Sequence, residues 1–434
     1  MKKLLFIESR YVTYLYDKIS ESLISHGFEI HWIVLNHQFI PKTGNITLLE
    51  YPKKSRVKEH KNGYLDSVIA TDRHLRFFGK KEKNHFYHFD KEIRKAIEFI
   101  RPDFVFGEPT SFHHLISLEV CKEFNILYLH PASCRYPVSR FAFYLYDSLV
   151  PYKGSKEVLS EKEAHNSISA IVNRTSIPNY MVPPKISLKE SITDKIKVLS
   201  GFIEGERYNT PSPINKLLKD TENRQILKVW NNISTNQIDS EKFAIVFPLH
   251  MQPESSIDVW GRKFSNQNDV IKEISKRLKK NEVLYVKPNP KSSFEINKEL
   301  IKIISEKENV EALHSNVKMS EIFDTVDLFI NVVGTIAIEC ILSSKPVISL
   351  IKTYFNDTRQ SFSIESYDDI VGIIELIKKG RFTGLSKEEK ILYFNNLNSL
   401  SYDGVIGDTY NNKNVINENN IKKLHNAFID ILKE

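Results

Sequence analysis

Phe243-Ala244-Ile245-Val246-Phe247-Pro248-Leu249-His250-Met251-Gln252-Pro253-Glu254 is the stretch on which the fold turns. Five apolar residues run straight into a polar tip. The pattern recurs twice: Val283-Leu284-Tyr285-Val286 leads into Lys287-Pro288-Asn289-Pro290, and Leu328-Phe329-Ile330 leads into Asn331-Val332-Val333-Gly334-Thr335. Short apolar runs closed by turn residues read as strands of a parallel sheet buried on both faces. In open α/β sheets, ligands bind beyond the carboxyl ends of the strands. Three such ends with polar tips outline one half of a nucleotide site.

Working outward, the same alternation of strand and helix fills the first half. Residues 4–7, 29–35, 103–106 and 126–129 are apolar strands. Residues 14–26, 90–100 and 112–124 carry helical spacing, and Gly27 is a suitable stop for the first of these helices. Residues 41–83 are polar and weakly periodic and read as an excursion. Residues 155–174 read as a helix, 177–184 as a proline-rich break, and 186–237 as charged and helical in its later part. A polar linker at 234–240 sets the boundary between a first domain, 1–235, and a second, 236–410. The remaining 411–434 form a terminal helix whose stripe Ile421, Leu424, Phe428 and Leu432 packs back on the first domain. The expected class is α/β, with two Rossmann-like domains facing a central cleft.

Bulk properties narrow the function classes. A chain of 434 residues exceeds one ordinary core. A formal charge of +7 suits an anionic substrate or a peripheral contact with an inner membrane surface, and is no nucleic-acid signature. Cys121, Cys134 and Cys340 form no CxxC pair, which points to a reducing cytoplasm rather than a disulfide or zinc framework. The start, Met1 to Glu8, reaches an acidic residue too soon for a signal peptide. No apolar run nears the ~18 residues of a membrane span.

The three motifs together, Phe-Pro-Leu-His-x-Gln-Pro-Glu, Val-Lys-Pro-x-Pro, and Gly-Thr leading through Ala337-Ile338-Glu339 to Lys345-Pro346-Val347, resemble the bacterial capsule polysaccharide synthesis family. That family includes the Kdo transferases of capsule and lipopolysaccharide assembly. The resemblance spans roughly 243–350. It implies a GT-B-like glycosyltransferase that moves an acidic sugar, Kdo or another nonulosonate, from a CMP-activated donor to a glycan or glycolipid acceptor. The CMP-sugar is then a co-substrate, with no further cofactor. This chain departs from the family at Asn289, where Lys-Pro-His-Pro is usual. Asn289 retains hydrogen bonding but carries no proton at neutral pH.

The residues suggest roles consistent with that reading. A monophosphate leaving group needs less neutralising charge than a diphosphate, and the chain has no Asp-x-Asp pair, so a metal-independent reaction is expected. Gly334 and Thr335 precede a helix and are assigned the donor phosphate; the plainer reading is a helix start capped by Thr335. Glu339, one turn on, is assigned the ribose diol. Lys287 is placed at the phosphate or the sugar carboxylate. His250, Gln252 and Glu254 alternate along an extended segment and are assigned to the donor, with helix capping the plainer role of Glu254.

In the first half, Glu108 follows the strand at 103–106 and is the candidate base or nucleophile. Glu8, at the end of the first strand, and His113, at a helix start, are the other catalytic candidates. Arg10, Arg135 and Arg140 are assigned to the acceptor or the sugar carboxylate. Two alternatives stay open: an NDP-sugar transferase or polyol-phosphate polymerase on the same fold, and a non-catalytic nucleotide- or glycan-binding component of a capsule assembly complex.

Overall fold

The computed structural model describes residues 1–52, 63–176, 178, 186–291 and 294–433. Apart from Pro178, the expected break at 177–184 lies outside the described residues. The chain forms two compact units. The first joins Met1–Val158, Ile177–Lys216 and Asn396–Glu434; the second joins Leu159–Ser176 and Leu217–Asn395. The units are therefore not the contiguous segments 1–235 and 236–410. Helix Glu161–Val172 turns Ala164, Ile168 and Ile171 inward within the second unit. Trp230 is fully buried there and donates its indole N–H to Leu313 O at 2.9 Å. Burial of these apolar faces, more than the polar linker, sets the division.

In the first unit the strands are β1 (Lys3–Ile7), β2 (Glu29–Val34), β3 (Asn45–Leu48), β4 (Phe104–Phe106), β5 (Leu127–Ser133) and β6 (Arg140–Leu145). With the short strand Tyr402–Asp403 they form a sheet ordered Tyr402–Asp403, β6, β5, β4, β1, β2, β3. The β1 to β5 pairings are parallel; β6 runs antiparallel to β5, with Leu129 opposite Leu145. The described residues of the stretch at 41–83 hold β3 and helices Gly63–Thr71 and Arg73–Phe77. The order β3-β2-β1-β4-β5 is that of a Rossmann half.

The core of this unit is aromatic. Phe6 on β1 stacks on Trp32 and on Phe106, both at 5.1 Å between ring centroids. Helix Glu418–Leu432 closes this face: Phe428 meets Phe106 at 5.0 Å and Phe143 at 4.9 Å. The last helix is thus an integral layer of the first unit. Its apolar stripe has nowhere else to be buried.

The second unit contains β7 (Phe243–Pro248), β8 (Glu282–Lys287), β9 (Val310–Ala312), β10 (Leu328–Asn331), β11 (Val347–Ser349) and β12 (Ser361–Phe362). All pairings are parallel, in the order β12-β11-β10-β7-β8-β9. This is again the Rossmann order. The α/β class with two Rossmann-like units is therefore the observed one. Among the described residues no helix is long and apolar enough to cross a membrane.

Phe428→Ala is expected to destabilise the first unit by about 3–5 kcal/mol, the usual cost of truncating a buried phenylalanine. Urea denaturation followed by tryptophan fluorescence measures it. A change below 1 kcal/mol, with the rough scale taken from surface substitutions, would mean that the terminal helix does not close this core.

Candidate active site

The strand order of the first unit reverses between β1 and β4, and a crevice opens at such a switch point. Here it is a cavity of about 320 Å³. Glu8, Ser9 and Arg10 reach it from the end of β1, Asn36 from β2, and Glu108, Thr110 and Ser111 from β4; His113 and His114 follow on the next helix. Gly107 makes the β4 exit feasible. A Cβ there would lie 2.4 Å from the Tyr128 hydroxyl and 3.2 Å from Ile7, so no larger residue fits without displacement.

Glu8 is 2 % exposed. Its Oε1 accepts from Arg10 N–H at 2.6 Å and its Oε2 from Asn36 N–H at 2.9 Å. The first bond secures Arg10 in the left-handed region, at φ 45°. Burial pushes the Glu8 carboxyl up to about 7, against the pull of those N–H groups. Burial also raises Glu108; a 3.1 Å bond from Ser9 Oγ works against the rise, and the nearby Asp408 adds to it. Two carboxyl groups whose neutral form burial favours thus stand at adjacent strand ends in this cavity. Glu8 is the more constrained, since both of its oxygens are held by backbone.

The basic side of the cavity was only partly visible in the sequence. Arg10 Nη2 donates to Asn209 O and to Thr210 Oγ1, each at 3.1 Å. Arg73 also donates to Asn209 O, while its buried Nε has no hydrogen-bond partner among the described residues. Burial and the neighbouring Arg10 lower Arg73 to about 10, which leaves it a cation at neutral pH. The fully buried Glu206 is the local counter-charge, accepting from Tyr208 N–H at 3.0 Å, from Asn209 N–H at 2.7 Å and from the Thr210 hydroxyl. Two guanidinium groups meeting on one carbonyl oxygen retain donor capacity for an anion.

His113 is positioned differently from the expectation of a base. Its Nε2 lies 3.0 Å from Glu8 O and its Nδ1 3.0 Å from Asn209 Nδ2. One ring nitrogen must therefore donate to a carbonyl while the other accepts from an amide. Burial holds this imidazole down at about 4, so it stays neutral and ties β1 to the Asn209 loop. His113 is a positioning residue.

In the second unit the order reverses between β7 and β10. His250 follows β7, and the Asn331–Thr335 turn follows β10. Val333 N–H approaches His250 Nε2 at 3.5 Å, and burial holds this histidine neutral, at about 4. Gly334 N–H, assigned to a phosphate, already donates to Asn331 Oδ1 at 2.7 Å. Thr335 opens helix Ile336–Leu342 without a side-chain cap bond. Glu339 is not a lone acid: Arg174 donates to its Oε2 at 2.8 Å and lies over the Phe323 ring at 3.6 Å.

Lys287, at the end of β8, is 4 % exposed. Its ammonium reaches Pro288 O at 3.1 Å and Ser315 O at 3.5 Å. Burial lowers it to about 8, with Glu321 working against the drop. A buried ammonium resting on carbonyl oxygens is suited to receive an anion. Gln252 is fixed internally: Nε2 donates to Asp258 Oδ1 at 2.7 Å and to Ser265 O at 3.0 Å, and Oε1 accepts from Gln267 at 3.2 Å. It shapes the loop after β7. Glu254 is exposed and accepts from Ser256 Oγ at 2.8 Å. Asn289 Oδ1 accepts from Lys291 N–H at 2.9 Å, which makes Asn289 a turn-former.

The remaining arginines lie elsewhere. Arg140 sits on the antiparallel β6, 8 % exposed. It donates to Glu157 Oε2 at 2.7 Å, to Ser155 Oγ and Ser401 O at 2.8 Å, and to Asn398 O at 3.2 Å. Its role is to bind chain segments together, and it does not line the cavity. Arg135 rests 5.7 Å from the Tyr136 ring centre and is likewise not among the lining residues. Asn36, Arg73, Glu206, Asn209 and Asp408 are polar cavity residues that the sequence reading missed. Arg73, Glu206 and Asn209 come from segments distant from any strand end, where the only signal was an isolated charge or amide in a polar stretch; Asn36 and Asp408 follow β2 and the short strand Tyr402–Asp403.

No protein-family model and no curated protein matches this chain. Among solved structures it is similar to the UDP-GlcNAc 2-epimerase of Methanocaldococcus jannaschii, at 13% identity over 90% of this chain and 98% of that one, with a TM-score of 0.29. It is also similar to KpsC, the beta Kdo 2,7 transferase of Thermosulfurimonas dismutans, at 10% identity over 86% and 98% of the two chains, with a TM-score of 0.37. MurG of Acinetobacter baumannii aligns at 8% identity over 92% and 95%, with a TM-score of 0.28. At these values no residue role or substrate carries over from them.

If Arg140 is structural, Arg140→Met should strand buried carbonyls and lower stability by at least about 1–3 kcal/mol, the cost of one unpaired buried acceptor. Thermal and urea unfolding check this. A variant as stable as the wild type would return Arg140 to the list of ligand-binding candidates.

Proposed function

We propose that this chain is a glycosyltransferase that transfers an acidic sugar, Kdo or another nonulosonate, from a CMP-activated donor to a glycan or glycolipid acceptor in surface polysaccharide synthesis. The observation that carries the reading is the cavity at the β1/β4 switch point, which pairs two carboxyls raised by burial with two arginines. A transferase needs a group that takes the acceptor hydroxyl's proton near neutral pH, and a raised carboxyl meets that need. An acidic sugar or acceptor also needs cationic partners, which Arg10 and Arg73 supply. Glu108 is the proposed base, because Glu8 has both oxygens held by backbone N–H groups. Glu8 then orients the turn that carries Ser9 and Arg10.

The nucleotide is assigned to the second unit, where the motifs that resemble the capsule family lie. Lys287 is the proposed phosphate partner. One buried ammonium suits the single phosphate of a CMP donor better than a diphosphate, and the reaction is read as metal-independent. His250 and the 331–335 turn lie beside it along the same row of strand ends.

Glu108→Gln is expected to lower kcat by roughly 10²-fold or more, the scale for loss of a general base. CMP affinity should stay within a few-fold, because the nucleotide belongs to the other unit. A donor-hydrolysis and transfer assay alongside calorimetry separates the outcomes. Activity near wild type would make Glu108 structural. Binding of CMP with no turnover in the wild-type chain would favour the non-catalytic alternative.

The Lys287 assignment has a pH signature. The free ammonium titrates at about 8, against an ordinary value of 10.5. A bound phosphate raises it again, so between those values the complex holds more protons than the free protein. CMP binding should then take up a proton, and affinity should fall as pH rises across that window. Calorimetry in two buffers of different ionisation enthalpy measures the uptake. Lys287→Met should abolish it and weaken CMP by about 1.5–3 kcal/mol, the scale of a charged hydrogen bond. UDP binding at least as tight as CMP would overturn the single-phosphate donor.

A further inference from the structure

Helix Leu188–Glu204 is packed with the wrong side outward for a helix of a water-soluble surface. Leu188, Ile192, Ile196, Leu199 and Ile203 are 85, 56, 62, 46 and 67 % exposed. Their spacing of 4, 4, 3 and 4 residues places them in one stripe, about 80° wide at 100° per residue. The polar side of the helix faces the protein instead. Lys197 donates to the Tyr14 hydroxyl at 2.8 Å and lies 5.1 Å from the Phe39 ring centre. Glu204 accepts from Gln38 Nε2 at 2.7 Å, and Glu190 pairs with Lys413. Gly201 is buried, where a Cβ would come within 3.1 Å of Asn36 Oδ1.

Charge is distributed to match. Lys189 and Lys195 are exposed and fall on either flank of the apolar stripe. The acids Glu190 and Asp194 lie on the opposite, protein-facing side. The third acid, Glu204, is exposed but lies well off the stripe, so it is two ammonium groups that border the apolar residues. A helix that lies in a bilayer interface needs this arrangement: aliphatic side chains for the acyl boundary, and lysines at its edges for anionic headgroups.

We propose that helix Leu188–Glu204 is a membrane-docking element, and that its occupant is a bilayer surface with anionic headgroups. The helix is anchored to the first unit by its polar side and is too short, and too polar on that side, to span a bilayer. It lies along the surface. The chain continues from it directly into Glu206 and Asn209, which line the cavity. Docking would hold that cavity near the headgroups, within reach of a lipid-linked acceptor. The docking proposal itself does not rest on the sugar-transfer reading.

The test uses the full chain with vesicles of phosphatidylcholine alone and of phosphatidylcholine mixed with phosphatidylglycerol. The wild type should co-sediment with the mixed vesicles, less so as salt rises, and little with the neutral ones. The triple variant Ile192→Gln, Ile196→Gln, Ile203→Gln should lose about tenfold or more of that binding, since exposed apolar contacts supply the insertion. Its melting temperature should be unchanged, as these side chains support no core. Lys189→Glu with Lys195→Glu should lose binding to the mixed vesicles selectively. In Leu199→Trp, mixed vesicles should shift the added emission to the blue. Failure of the wild type to bind mixed vesicles overturns the proposal, as does a triple variant that binds equally well. A wild-type dimer that the triple variant converts to monomer overturns it too, by making the stripe an interface between copies.

Discussion

In each unit the chain lays down three strands in one direction across the sheet, then returns to the other side of the first strand. That single reversal, between β1 and β4 and again between β7 and β10, is the constraint from which the chemistry of this protein follows. Crossovers between parallel strands are right-handed, so helices leave the two neighbouring strands toward opposite faces of the sheet. The space above the carboxyl ends is then left unfilled, and any polar residue that ends those strands is directed there. Glu8 and Glu108 occupy such positions by their place in the topology.

The reversal also explains the electrostatics. A crevice walled by buried strands disfavours charge, so burial shifts Glu8 and Glu108 upward and the His113 imidazole downward. Glu8 moves up to about 7 and His113 down to about 4 within a single cavity. Opposite shifts in neighbouring groups are how one environment provides a proton acceptor beside a neutral hydrogen-bonding scaffold. The same desolvation acts on Lys287 in the second unit, where it lowers an ammonium to about 8.

Several groups that look chemical in isolation are consumed by structure. Arg140 is enclosed by carbonyl and hydroxyl oxygens, and Gln252 has both ends of its amide bonded within the loop it shapes. Buried polar groups must be hydrogen-bonded, and the fold uses long donors such as arginine and glutamine to meet that demand. Helix Leu188–Glu204 shows the converse, with five aliphatic side chains left outside while its polar face is engaged. A polar face turned inward and an apolar face turned outward only make sense together.

The apolar runs, their polar tips and the helical spacings between them were enough to establish an α/β chain with two Rossmann-like units, because strand burial and periodicity are local properties. Glu8, Arg10 and Glu108 were legible as candidates for the same reason, as each stands at or just beyond a strand end, and His113 because it stands at a helix start. The contiguous domain limits were not, since burial of Trp230 and of the 161–172 helix depends on contacts far along the chain. Nor could the sequence separate Arg10, which enters the cavity, from Arg140, which is enclosed on an antiparallel strand that no periodicity announced. Arg73, Glu206, Asn209 and Asp408 reach the cavity from segments 65 to 400 residues away from Glu8 in the chain. Sequence spacing fixes which residues end a strand; only tertiary packing decides which distant side chains share its low-dielectric surroundings, and hence which of them hold a proton.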